Sequence, residues 1–186
     1  MKKTIIIGLL ACCVLLLPDK VTAQRYLPRM GGITVNGGVT EKPGFYVEAG
    51  YSMYTKRKHH WNFGVNYLMN HDRYYTQKLP LVQVTAQGGY YLRLLQDRRR
   101  TFYLSLGVDA VIGHEWVNWG RYVLSDGGRI QDRNRFVFGG ALGLEAEYYL
   151  NDTYVILLRI REKCLANSDV GLWHTEAGLG LKFIIK

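Results

Sequence analysis

RFVFGGALGLEAEYYLNDTYVILLRIR, residues Arg135 to Arg161, decides the fold. Its first half alternates, with Phe136, Phe138, Gly140, Leu142, Leu144, Ala146, Tyr148 and Leu150 on one side. Val137, Gly139, Ala141, Gly143, Glu145, Glu147 and Tyr149 fall on the other. A period of two is the signature of a strand, here with one bulky apolar face and one small-or-polar face. Asn151-Asp152 then marks a tight hairpin, because both residues tolerate left-handed turn positions. The return strand sets Tyr154, Ile156, Leu158 and Ile160 against Val155, Leu157, Arg159 and Arg161. The acids and the arginines thus share the small-residue faces of adjacent strands, where a narrow closed interior lets them pair. Such a sheet is a barrel turned inside out.

The same pattern recurs along the chain. Strand candidates are Gly32–Val39, Phe45–Tyr54, Trp61–Asn70, Leu81–Leu94, Phe102–Gly113, the two strands of the hairpin, and Trp173–Ile185. Several reach the ~9–11 residues that a tilted membrane strand needs. The expected fold is therefore all-β, an eight-stranded antiparallel up-and-down outer-membrane β-barrel. Connection lengths give a second test, since such barrels have short periplasmic turns and longer external loops. With a periplasmic N-terminus, the turns are Thr55–His60, Gln96–Thr101 and Asn151-Asp152, and the longer connections are His71–Pro80, His114–Asn134 and Glu162–Leu172. Thr40–Gly44 is short and breaks the trend. Aromatic residues stand near both interfaces: Trp61, Phe102, Tyr148 and Tyr154 at one, Phe45, Tyr67, Phe136 and Trp173 at the other.

Met1-Lys2-Lys3 and the apolar run Thr4 to Leu17, broken by Pro18 and followed by Val21-Thr22-Ala23, read as a secretory signal peptide over residues 1–23. An alternative makes Cys12 a lipoprotein cysteine, but only eight residues separate it from Lys3. Residues 24–186 then form one barrel domain with 21 basic and 14 acidic residues. Cys164 is the only cysteine left, which excludes an intramolecular disulfide. Localisation is expected in the outer membrane of a Gram-negative cell after cleavage near Ala23.

The inward charges are Glu48, Arg93, Asp109, Glu145, Glu147, Arg159, Arg161, Glu176 and Lys182. An eight-stranded barrel is just wide enough for its own side chains, so these are expected to form a salt-bridged plug rather than a pore. The five histidines lack metal-site spacing, and His59-His60 is expected to be solvated in a basic turn. No catalytic, cofactor-binding or metal-binding residues are expected. His114 lies beyond the strand end and off the face of Ser105 and Asp109, so no triad forms. The loop Glu115–Arg135 carries Trp116, Trp119, Arg121 and Tyr122, whose aromatic and arginine chemistry suits contact with a partner, or packing of the loop on itself. Lys56-Arg57-Lys58 and Arg98-Arg99-Arg100 offer phosphate-binding charge, yet no stacking platform lies between them, so direct nucleic-acid binding is not expected.

Gln24–Ile33 (QRYLPRMGGI) resembles the start of the TraO family of conjugative-transposon transfer proteins. The similarity continues through Gly50–Lys56, Trp61–Gly64 and Gln87–Leu92. It implies a component of a conjugative DNA-transfer apparatus in the cell envelope, with outer-membrane lipid and other apparatus proteins as partners, and carries no catalytic residues with it. The chain ends on Lys186, whereas many outer-membrane barrels end on an aromatic residue. Three functions stand beside one another: a non-enzymatic structural or docking barrel, an outer-membrane lipid-modifying enzyme using His114 or His174, and a soluble periplasmic lipocalin-like ligand carrier.

Overall fold

A period-two pattern repeated with short polar punctuation folds as hairpins, and here the hairpins close on themselves. The computed structural model describes residues 30–41, 43–55, 59–74, 77–117, 135–168 and 171–185. The expected signal peptide and the loop residues Trp119, Arg121 and Tyr122 lie outside them. The strands are β1 (Gly31–Thr40), β2 (Gly44–Tyr54), β3 (His60–Tyr74), β4 (Gln77–Gln96), β5 (Phe102–Val117), β6 (Arg135–Tyr149), β7 (Tyr154–Ala166) and β8 (Trp173–Ile185). Each pairs antiparallel with its sequence neighbours, and β1 pairs with β8 from Gly31↔Ile185 to Thr40↔Glu176. The fold is an eight-stranded up-and-down barrel of the outer-membrane type, with no open sheet edge.

The two faces separate as the alternation requires. Val35, Val108, Leu142 and Leu179 point outward and are 50–64% exposed, while the residues between them are buried. An exterior of this composition is unfavourable in water and matches the hydrocarbon of a bilayer. A soluble ligand carrier needs the reverse facing, with apolar side chains inside, so that alternative does not fit. Trp61, Phe102 and Tyr154 are exposed at the end where β2–β3, β4–β5 and β6–β7 turn, called here the turn end. Phe45, Phe136 and Trp173 are exposed toward the opposite, loop end, while Tyr67 and Tyr148 are partly covered.

Several strands are longer than their apolar cores suggested. His71–Pro80 is not a long loop: the ladder continues from His71↔Pro80 to Tyr74↔Gln77, leaving only residues 75–76 between strands. β5 continues to Val117 and β7 to Ala166, which shortens the two remaining connections to 118–134 and 167–172. Backbone pairing does not stop where apolar alternation stops. Beyond the lipid band a strand still satisfies its N–H and C=O groups, whatever its side chains.

Inside, the barrel is layered along its axis. Met30, Tyr54, Tyr103, Tyr149, Val155 and Ile184 form a buried aromatic and aliphatic cluster at the turn end. Val111, Ala141 and Leu165 form a second cluster nearer the loop end. Most of the buried charged residues lie between the two, with Arg93 nearer the turn end and Glu115 nearer the loop end.

Candidate functional site

Alternation places Arg159 and Arg161 on the same inward face of β7, two residues apart, and both are 1% exposed. Arg159 bridges two acids: its Nε lies 3.0 Å from Glu145 Oε2, and its two terminal nitrogens contact Glu48 and Glu145. Arg161 Nη1 donates to Glu48 Oε2 at 2.8 Å and to Gln87 Oε1 at 2.7 Å, and Nε lies 3.5 Å from Asp109 Oδ2. Its Nη1 is also 3.9 Å from Glu176 Oε2. From β8, the Lys182 ammonium bonds Glu145 Oε1 at 2.9 Å and also Glu147.

Neutral donors add to these contacts. Tyr54 donates to Glu147 at 2.7 Å, Tyr91 to Asp109 at 2.8 Å, and Asn66 to Glu176 at 3.2 Å. The network therefore crosses the lumen and joins every strand from β2 to β8. In a lipid-surrounded barrel an unpaired charge is expensive, and mutual neutralisation with added hydrogen bonds is what makes these groups tolerable. Side chains from opposite walls meet, so the interior is filled at this level as an eight-stranded barrel allows.

Eight of the nine inward charges read from the sequence meet in this network. The ninth is Arg93. It sits nearer the turn end, with its guanidinium 4.0 Å above the Tyr103 ring and its backbone N–H donating to His59 Nδ1 at 3.2 Å. Lys163 was missed: it is fully buried and its Nζ lies 2.5 Å from Glu176 Oε1. Its signal was available, because it continues the parity of Arg159 and Arg161, but it fell within a segment read as loop.

His60 also departs from expectation. It is the first residue of β3, is fully buried rather than solvated, stacks on Tyr91 with centroids 5.1 Å apart, and places Nε2 3.3 Å from Glu145 Oε1. Opposite parity to outward-facing Trp61 was the sequence signal for it. Ligand-type atoms of His60, Glu145 and Glu147 converge within 4.8 Å of one another. Lys182 bridges the two carboxylates of this group.

At the loop end, Glu115 is buried on β5, accepting from Gln83 at 3.1 Å and from Ser168 at 2.9 Å. Ser168 Oγ lies 3.4 Å from His174 Nε2. His114 lies within β5 rather than beyond it, on the outward parity, and packs edge-on against Trp116 at 4.6 Å. Trp116 is thus a strand residue and not part of the loop. A small cavity of about 10 Å³ beside His174 is lined by Thr40, Asn70 and Trp173.

A sequence profile described as "Conjugative transposon protein TraO" matches residues 23–185. Among solved structures, the chain is similar to Ail, the attachment invasion locus protein of Yersinia pestis, at 10% identity and a TM-score of 0.58. That match covers 86% of this chain and 100% of Ail. It is similar to Neisserial surface protein A at 11% identity and a TM-score of 0.50, covering 83% and 94% of the two chains. At these identities the likeness is one of fold. No curated protein matches the sequence.

Proposed function

Because the chain belongs to the TraO family of conjugative transposon proteins, we propose that it is a non-enzymatic outer-membrane barrel that serves a conjugative transfer apparatus as a structural or docking part. The observation that carries this reading is the pairing of an apolar exterior with an interior whose carboxylates are all engaged by cations or hydroxyls. Such a lumen holds its strands in place and has little scope for transport. Contact with other components then falls to the ends of the barrel. The turn end faces the periplasm, following the rule that periplasmic turns are the shorter ones. The opposite end then lies outside the cell, and Trp119, Arg121 and Tyr122 of the 118–134 connection supply the side chains for contact with partner proteins.

Fractionation of cells expressing the untagged protein tests the location. An outer-membrane band that migrates differently with and without boiling supports the barrel, and a detergent-free periplasmic band overturns it. Cross-linking from residues 118–134 to other transfer proteins, with transfer lost on deletion, tests the docking role.

An acyl-modifying enzyme has one observation in its favour, the Ser168–His174 contact beside Glu115. The Ser168 hydroxyl donates to Glu115, however, so its proton is committed to the carboxylate rather than to a histidine base. His174→Ala should leave lipid A composition unchanged; an altered lipid profile would reverse the assignment.

A further inference from the structure

The β4–β5 turn is built to present arginines. Asp97 accepts from the backbone N–H of Arg98 at 2.7 Å with Oδ1 and from that of Arg99 at 3.3 Å with Oδ2. Its carbonyl accepts from Arg100 N–H at 3.0 Å, and its own N–H donates to Phe102 O at 3.1 Å. Arg100 takes the left-handed conformation, φ 60°, that lets the chain reverse. Tyr149 N–H bonds Thr101 O at 2.8 Å, fastening the turn to β6. Both carboxylate oxygens of the one acid in the turn are therefore spent on backbone, and the side chains of Arg98, Arg99 and Arg100 are all exposed.

The depth of this turn identifies what faces it. A register shift between Arg93 and Leu95 leaves Leu94 and Leu95 both outward, 53% and 61% exposed, immediately before the turn. Phe102 faces outward immediately after it, and toward the same end the outward Tyr154 and Phe183 rings meet edge-on at 5.4 Å. Outward aromatics of this kind mark the boundary between hydrocarbon and headgroups. Three guanidinium groups thus sit just past the apolar edge, at headgroup height. Guanidinium pairs with phosphate oxygens through two parallel N–H donors, and basic residues near a bilayer surface select anionic lipid.

We propose that the Arg98–Arg100 turn binds the phosphates of anionic phospholipid headgroups in the leaflet at the turn end. The proposal rests on the membrane-spanning reading of the barrel. In an outer membrane that leaflet is phospholipid, and the turn fixes the depth of the barrel against it.

The full chain is refolded into nanodiscs of phosphatidylcholine containing a minority of phosphatidylglycerol, and the lipid retained on the extracted barrel is counted by native mass spectrometry. Heat-modifiable migration reports folding separately, so its loss would overturn the membrane barrel itself. With folding intact, the protein should enrich phosphatidylglycerol about tenfold over its bulk fraction. Arg98→Gln, Arg99→Gln and Arg100→Gln combined should remove most of that enrichment with the heat shift unchanged. No enrichment in the parent, or equal enrichment in the triple variant, overturns the proposal. So does a triple variant that keeps its lipid selectivity but loses cross-links to a transfer protein, which would make the turn a protein-docking surface.

Discussion

Tyr91 and Asp109 face each other inside the barrel, each lying over a glycine of the other's strand. The Tyr91 ring covers Gly107, where an added Cβ would meet ring carbons at 2.5 Å. Asp109 covers Gly89, where an added Cβ would meet Oδ1 at 2.2 Å. The two side chains then join through the 2.8 Å bond from the Tyr91 hydroxyl to Asp109 Oδ2. Glycine here is a matter of room: the wall is thinned where a large side chain must lie flat in a narrow lumen.

Gly107→Val should displace the Tyr91 ring, break its bond to Asp109 and disturb its stack on His60. The expected loss is about 3 kcal/mol, combining overpacking with a lost buried hydrogen bond. Urea unfolding in lipid vesicles measures it. Gly140→Ala is the control, since its added Cβ meets nothing nearer than Asp109 O at 3.5 Å. Equal stability of the two variants would remove the packing argument.

Arg159→Met should cost about 3–5 kcal/mol, because Glu48 and Glu145 lose their shared cation while remaining buried. Adding Glu48→Gln and Glu145→Gln should recover part of that loss, since the excess negative charge is removed while Arg161 keeps Asp109 and Lys182 keeps Glu147. A triple variant less stable than the single one would show that charge compensation is not what Arg159 supplies.

Lys163 and Glu176 should be strongly coupled. Lys163→Met and Glu176→Gln are each destabilising, and the double variant should lose about 1–3 kcal/mol less than the two losses added together. A double-mutant cycle by equilibrium unfolding reads this directly. Strict additivity would mean the contact contributes nothing specific.

Position along the exterior should set the cost of a charge. Val108→Arg, at the middle of β5, should destabilise membrane insertion by about 2–4 kcal/mol, and Leu95→Arg at the turn end by about 0–1 kcal/mol. Vesicle-folding titrations compare them. Equal penalties would contradict a bilayer spanning the barrel's waist.

Strand identity and facing were legible because both depend on one local rule, alternation, which Phe45–Tyr54 and Trp173–Ile185 obey without interruption. The interior network was legible for the same reason, since Glu145 and Arg159 carry their parity on their face. Strand ends were not. His71 to Pro80 are polar, and nothing local distinguishes a polar hairpin extension from a loop once the lipid no longer selects apolar side chains. That boundary hid Lys163 as well. His60 was obscured by its company, following four basic or imidazole residues, whereas its burial comes from partners on β4 and β6. Arg93 has the parity the pattern gives it, but its place over the Tyr103 ring is set by strand stagger, which pattern alone does not encode.

Closure through β1 and β8 has a consequence for how the molecule is made. The first strand to leave the ribosome finds its second partner only in the last, so the ring cannot be completed hairpin by hairpin. Until that seam forms, two strand edges are open to pairing with other chains. A chain cut short before β8 has no smaller ring to fall back on and stays an open ribbon. Insertion is thereby a check on completeness, passed only by a chain that carries both sides of the seam.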